Sequence, residues 1–259
     1  MSKEEQLNLW INEVESRWSE EAIPEYRVDP NRIKHLAIIC DGNRRAASER
    51  GLEPYFGHRV GMEVIKGSAR AFRNWGVGIC TYWVWSTDNW SRDTRQTEYV
   101  MGLAEENLGN PDFLQGLIRN QTKFLQIGRK ERLPRTLQQT LRSLEQATTR
   151  FRRHRINLAL DYGGRNEVGR AKDRLIDRGG ALKSRRIEDF LDTAGQPQVD
   201  LVLRTGVGEG EMAHTSGFMP LQTIESAWKF LETPLPDLTP QELLASVQEC
   251  ERYNKRLGK

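Results

Sequence analysis

Apolar side chains along this chain fall into two kinds of segment, short runs and longer stretches with apolar residues every three or four positions. The runs at 36–40 and 79–85 are rich in β-branched or aromatic residues, as buried parallel strands are, and 124–128, 156–160 and 199–203 read as further strands that carry Gln126, Asn157 and Asp200 among apolar residues. Alternation along 79–85 puts Trp83 and Trp85 on one face and Tyr82 and Val84 on the other. Helical spacing appears first over 3–20, where Leu7, Trp10, Ile11, Val14 and Trp18 form a stripe and Pro24 ends it. It returns over 57–75, with Val60, Val64, Ala71 and Trp75 inward and Gly76 just past the end. Two segments over 94–120 are broken around Gly109, Asn110 and Pro111. Leu137, Leu141 and Leu144 mark a helix over 135–153, and another runs from the turn at Asp161 to about 176. The last, 240–257, carries Leu243, Leu244, Val247, Cys250 and Tyr253. Strands alternating with helices predict an α/β fold, a mostly parallel central sheet flanked by helices. The expected division is an N-terminal helical extension over 1–30 and one α/β domain over 31–259.

Composition narrows the function. Basic residues number 39 and acidic ones 36, a net charge of +3, which argues against a general nucleic-acid binder. Cations should then matter locally, at an anionic ligand. Cys40, Cys80 and Cys250 are odd in number and widely spaced, so they read as reduced core residues of a cytoplasmic protein. No run of 18 apolar residues occurs and the N-terminus lacks a signal-like apolar segment, so membrane contact is expected to be peripheral at most. The N-terminal helix has an acidic polar face, which favours packing on the domain's flank over lying on a membrane. Residues 178–186 form a glycine- and charge-rich connection, and 206–214 a mobile polar loop.

The candidate chemistry gathers at the carboxyl ends of the strands, where open α/β sheets bind ligands. The first strand delivers Asp41, Gly42, Asn43, Arg44 and Arg45. Two arginines on a glycine-containing loop suit a diphosphate, and a carboxylate among them suits a Mg²⁺ ion bridging to it. Asp41 capping a helix while the arginines face solvent is the competing reading. The second strand delivers Ser86, Asp88, Asn89 and Arg92, and the last delivers Arg204. Together with His58 these groups would form a cationic mouth above apolar helices, suited to an amphiphile with a diphosphate head. Arg150, Arg152, Arg153, His154 and Arg155 read as a solvated helix terminus.

Asp41-Gly42-Asn43-Arg44-Arg45 followed by Phe56-Gly57-His58-Arg59-Val60-Gly61 resembles the opening signature of the cis-prenyltransferase family, of undecaprenyl diphosphate synthase type. Further blocks match in order: 85–92 (WSTDNWSR), 161–165 (DYGGR), 200–206 (DLVLRTG), and Ser216-Gly217-Phe218 with Gln222. The resemblance covers the chain from about residue 33 onward. It implies a cis-prenyltransferase-like fold over 31–259 and condensation of an allylic prenyl diphosphate with isopentenyl diphosphate, dependent on Mg²⁺. In that role Asp41 is the metal and diphosphate aspartate. Gly42, Asn43, Arg44, Arg45 and His58 hold the allylic diphosphate, Trp85 and Ser86 lie beside the substrate, and Asn89 handles a proton with Arg92 as polar support. Arg204 and Ser216 match the isopentenyl diphosphate clamp. The helices over 94–120 would wall a prenyl tunnel through Val100, Met101, Leu103, Ala104, Leu108, Phe113 and Leu117. Arg256-Leu257-Gly258 resembles the C-terminal R-x-G of homodimeric members, whose tail reaches the partner's site.

Several positions depart from the family pattern. Arg44 stands where glycine is usual, Ala46 replaces tryptophan, Pro54 replaces a loop arginine, and Asp88 shortens a glutamate. The run from Arg204 to Ser216 is longer by four residues and puts His214 at the second clamp arginine. Ala227 falls at the usual metal-ligand glutamate, and Glu225 would share its face if the segment were a strand. An altered clamp keeps alternatives open: irregular coupling, cyclisation or transfer to another acceptor on the same fold, or a non-catalytic prenyl-lipid-binding subunit.

Overall fold

The computed structural model describes residues 1–178 and 186–252. Each apolar run becomes a strand: β1 (His35–Ile39), β2 (Ile79–Ser86), β3 (Thr122–Ile127), β4 (His154–Tyr162) and β5 (Leu201–Arg204). A sixth, β6 (Ala227–Phe230), which is absent from the expected set, pairs in parallel with β5 through half-buried residues. No apolar run announces β6, because its four residues mix Ala, Trp, Lys and Phe without alternation. The strand order is β3-β4-β2-β1-β5-β6.

The helices are α1 (Lys3–Arg17), α2 (Asn43–Glu49), α3 (Phe56–Trp75), α4 (Thr94–Gly109), α5 (Pro111–Arg119), α6 (Arg135–Thr148), α7 (Gly164–Asp177) and α8 (Pro240–Arg252). Short α2 is absent from the expected set, because seven residues are too few to show a stripe. Helix α1 stops well before Pro24, the expected terminator. Trp18 closes it, fully buried, with its indole donating to the Leu238 carbonyl at 3.1 Å. Leu7, Trp10 and Val14 of α1 are buried and α1 packs on α3, so its apolar face is covered by protein. Helix α6 also ends earlier than expected, at Thr148, whose hydroxyl donates back to the Leu144 carbonyl at 2.7 Å and leaves Arg150 and Arg152 beyond the helix. Asn110 ends α4 and caps α5 through the Asp112 N–H at 2.9 Å.

The chain divides into two compact units. The first comprises Met1–Tyr82, Asp200–Ala213 and Ala227–Lys259, and holds β1, β5 and β6 with α1, α2, α3 and α8. Its core includes Leu36, Ile38, Val60, Val64, Trp75, Leu203 and Leu243. The second comprises Trp83–Val199 and His214–Ser226, and holds β3 and β4 with α4 to α7. There Phe218 stacks on Trp83 at 5.0 Å between ring centres and meets Tyr162 edge-on at 5.9 Å, and the Trp83 indole donates to the Tyr162 carbonyl at 3.2 Å. None of Cys40, Cys80 and Cys250 forms a disulfide, and burial pushes the Cys40 and Cys80 thiols up, so they stay protonated. Among the described residues no helix is long and apolar enough to cross a membrane. The 178–186 connection falls mostly on residues outside the described ones.

Candidate active site

In the first unit the ends of β1, β5 and β6 are knitted together by backbone. The Thr205 hydroxyl donates to the Asp41 carbonyl at 2.8 Å and the Gly206 N–H to the Thr233 carbonyl at 2.8 Å. The Leu235 N–H reaches the Asp41 carbonyl at 2.9 Å. Two glycines make this possible. Gly42 (φ 89°) and Gly206 (φ 65°) are left-handed, and a Cβ on Gly206 would fall 2.6 Å from the Gly42 Cα. The Asp41 carboxylate stands on this floor. One oxygen accepts the Gly42 N–H at 2.7 Å and the other accepts Arg204 Nη2 at 2.9 Å. Gly42, with no side-chain cap bond, precedes α2, so the alternative in which Asp41 caps that helix is not what forms.

Helix α2 begins on Asn43, which is buried and donates from Nδ2 to the Cys40 carbonyl at 2.9 Å. Gly57 and Gly61 of α3, one turn apart, pack directly on it. A Cβ on Gly57 would meet the Asn43 carbonyl oxygen at 1.8 Å, and one on Gly61 would meet Asn43 Oδ1 at 2.2 Å. That close approach is the physical content of the spacing between the two blocks of the opening signature. It places Arg44 at the surface, Arg45 half-buried, and His58 half-buried in the first turn of α3. Arg45 faces the loop after β5, with Nη2 donating to the Gly206 carbonyl and Nη1 lying 3.4 Å from Glu211 Oε1.

The second unit carries its own group of expected residues. A single 3-10 turn, Thr87–Ser91, follows β2, and the Ser86 hydroxyl donates to Asn89 Oδ1 at 2.9 Å, fixing the amide. Trp85 is fully buried, with Trp90 edge-on at 5.9 Å and the Arg92 guanidinium 5.4 Å over its ring. His214 and Ser216 are exposed, and His214 Nδ1 accepts the Ser216 N–H at 3.2 Å. Val100, Met101, Leu103, Ala104, Leu108 and Leu117 are buried, and Phe113 meets Phe124 edge-on.

Two expectations need correction or lie out of view. Glu225 is exposed in the turn before β6, which begins at Ala227, so its face is not set by a strand and the shared-face argument for it as a metal ligand fails. Arg256 lies outside the described residues. Two arrangements went unseen in the sequence. One is the Thr205 knot, on a residue inside the matched 200–206 block. The other is Asp161, a fully buried carboxylate bound by Arg129 at 3.2 Å and flanked by Arg132 at 3.5 Å, whose carboxyl burial pushes up.

Among the described residues no group of three or more His, Cys, Asp or Glu forms a metal cage. Mg²⁺ does not need one, since it keeps several waters and binds through one or two carboxylates plus substrate phosphates. Asp41, 43% exposed and anchored by only two donors, fits that shared mode.

Residues 39–258 match the family described as putative undecaprenyl diphosphate synthase. An isoprenyl transferase of Treponema denticola is 32% identical over 87% of this chain and 97% of its own length. Dehydrodolichyl diphosphate synthase 2 of Arabidopsis thaliana is 30% identical over 92% of this chain and 78% of its own. Among solved structures, lavandulyl diphosphate synthase of Lavandula x intermedia, in complex with dimethylallyl diphosphate, superposes with a TM-score of 0.80 at 26% identity, over 89% of this chain and all of that one. A probable undecaprenyl diphosphate synthase of Campylobacter jejuni gives 0.72 at 25% identity, over 88% of this chain and 99% of its own. With strands, signature loops and relatives in agreement, this chain belongs to the undecaprenyl diphosphate synthase family of prenyl transferases.

Proposed function

We propose that the protein joins an allylic prenyl diphosphate to isopentenyl diphosphate, giving a short cis-prenyl diphosphate. The observation that carries this reading is the Asp41–Arg204 pair at the ends of β1 and β5, its carboxylate half-exposed and its guanidinium largely buried, with Arg45 at the start of α2. The allylic C–O bond breaks, the homoallylic double bond of the acceptor forms the new C–C bond, and a proton leaves the acceptor. Charge develops on the departing diphosphate, and fixed guanidinium groups aimed there lower the barrier without reorganising. Arg45 takes that role, His58 adds a donor from the first turn of α3, and Arg204 serves the clamp for isopentenyl diphosphate. Asp41 would hold Mg²⁺, which when bound would add charge neutralisation at the diphosphate. Ser86 holds the Asn89 amide in one orientation, which suits Asn89 for guiding the departing proton.

A second reading, transfer to an acceptor other than isopentenyl diphosphate, draws support from the lengthened 206–214 loop and from His214 at the clamp position. Incubation with Mg²⁺ and dimethylallyl, geranyl, farnesyl or geranylgeranyl diphosphate, each with and without isopentenyl diphosphate, separates the readings. Elongated cis products that require isopentenyl diphosphate are expected. Consumption without it selects the second reading, and no consumption of any allylic diphosphate removes both. We also propose a homodimer in the cytoplasm, on the strength of the R-x-G ending and the cysteine usage. A monomer in sedimentation at micromolar concentration would overturn the dimer.

A further inference from the structure

The loop that follows β5 is organised around one side chain. Gly206 is fixed by its N–H bond to the Thr233 carbonyl, and its own carbonyl accepts Arg45 Nη2. Residues 208–211 then close a turn upon themselves. The Glu211 N–H donates to the Gly208 carbonyl at 3.0 Å, and the Gly208 N–H donates to Glu211 Oε2 at 2.8 Å. The remaining oxygen, Oε1, points to Arg45 Nη1 at 3.4 Å. Both terminal nitrogens of the Arg45 guanidinium are thus met by oxygens of the same loop, a carbonyl and a carboxylate. Two oxygens across the fork of a guanidinium are what a diphosphate would present.

We propose that Glu211 is a built-in competitor for the diphosphate: residues 206–211 cap Arg45 in the free protein, and an arriving diphosphate displaces the carboxylate. This rests on the reading that Arg45 binds diphosphate. The chemistry of the contact suits exchange. Arg45 and Glu211 side chains are 42% and 57% exposed, and exposed ion pairs are weak enough for a doubly charged ligand to replace. The Gly208 N–H first, and Arg45 after it, hold the Glu211 carboxyl below its usual range, so the cap is charged at neutral pH. The turn keeps its own two hydrogen bonds when the ion pair parts, so the cap can swing away without unfolding. Glu211 stands inside the stretch that is longer than the family pattern, which makes the cap a feature of this chain's loop.

Calorimetric titration of the full chain with inorganic pyrophosphate and Mg²⁺ tests the cap. Glu211→Gln is expected to bind pyrophosphate about two- to fivefold more tightly than the unmodified protein. Glu209→Gln, which removes an equal charge from the same loop but leaves the Arg45 contact, is expected to bind as the unmodified protein does. Binding by Glu211→Gln alone would also support the cap. Equal tightening by both variants would overturn it, because the gain would then come from net charge. Unchanged or weaker binding by Glu211→Gln would overturn it while leaving the Arg45 site standing. Absence of pyrophosphate binding in every form would remove the cap and the site together.

Discussion

Two carboxylate–arginine clusters in this protein are built from the same chemistry and do opposite work. Asp192 in the second unit is met by both terminal nitrogens of Arg170, at 3.0 and 2.6 Å, by Arg174 at 2.8 Å and by the Gly128 N–H at 3.0 Å. Its side chain is 9% exposed. Burial pushes the Asp192 carboxyl up, but Arg170, Arg174 and the Gly128 N–H together hold it below its usual range. Asp41 in the first unit has one arginine, one backbone donor and much more water. A carboxylate with four protein donors and no solvent has nothing to exchange, and its pair holds the fold. One with two donors and open water can trade a partner for a ligand, which a site for an anion and its metal must do.

The sharpest way to break that contrast is to remove each carboxylate. Asp192→Ala leaves the part-buried Arg170 guanidinium and the more exposed Arg174 beside it without their carboxylate, and is expected to cost about 3 kcal/mol of stability, read from urea unfolding. Asp41→Ala is expected to lower turnover at least about 10²-fold in saturating Mg²⁺, the scale of losing one strong electrostatic contributor. Its unfolding midpoint should fall by less than that of Asp192→Ala. Near-normal turnover by Asp41→Ala, or equal loss of stability in both, would show the two clusters to be one kind.

A third substitution probes what holds the exchangeable cluster in place. A methyl group on Gly61 would land 2.2 Å from Asn43 Oδ1, so α3 and the start of α2, which carries Arg45, must move apart. Gly61→Ala is expected to cost about 1–3 kcal/mol, the usual range for overpacking, and to raise KM for the allylic diphosphate. A raised KM with unchanged stability would mean that α2 yields more easily than its packing suggests.

How much of this was legible in the chain follows from the length and regularity of each pattern. The five apolar runs and the long stripes of α3 and α8 announced themselves, because burial on a fixed face leaves a period in the sequence. Strand β6 and helix α2 did not, since four mixed residues and seven short ones carry no period. At the candidate site the identities of Asp41, Arg45 and Arg204 were legible from the signature blocks. Their partners were not. That Arg204 lies on Asp41, and Glu211 on Arg45, depends on β1 and β5 being neighbours, a pairing between residues more than 160 apart. The placement of Glu225 failed for the same reason, as the start of β6 is set by its pairing with β5 at Leu201 and Ala227.

The smallest effect expected separates the buried cluster into two carboxyls that titrate in opposite senses. Glu167, fully buried next to Asp192, accepts the Tyr162 hydroxyl at 2.5 Å, the Gln222 amide at 2.9 Å and the Asp192 N–H at 2.9 Å. Burial nonetheless pushes its carboxyl above the ordinary value of 4.5. The folded protein therefore holds a proton at Glu167 in a pH window, from 4.5 up to the raised value, where the unfolded chain has released it. Stability falls as pH rises through that window, with a slope of at most about 1.4 kcal/mol per pH unit. Asp192 does the reverse, because its lowered carboxyl loses stability only as pH drops below 3.8. Glu167→Gln removes the first titration and leaves the second. Among the described residues Gln222 Oε1 has no hydrogen-bond partner, so a flip of that amide lets it accept from a glutamine at 167 and keeps the variant folded. Urea unfolding at closely spaced pH values should then give a wild-type curve that slopes down above pH 4.5 more steeply than that of Glu167→Gln, in which Asp161, also raised by burial, still titrates in the same sense. Parallel curves through that window would mean that the three donors outweigh burial and that Glu167 is ionised like its neighbour Asp192.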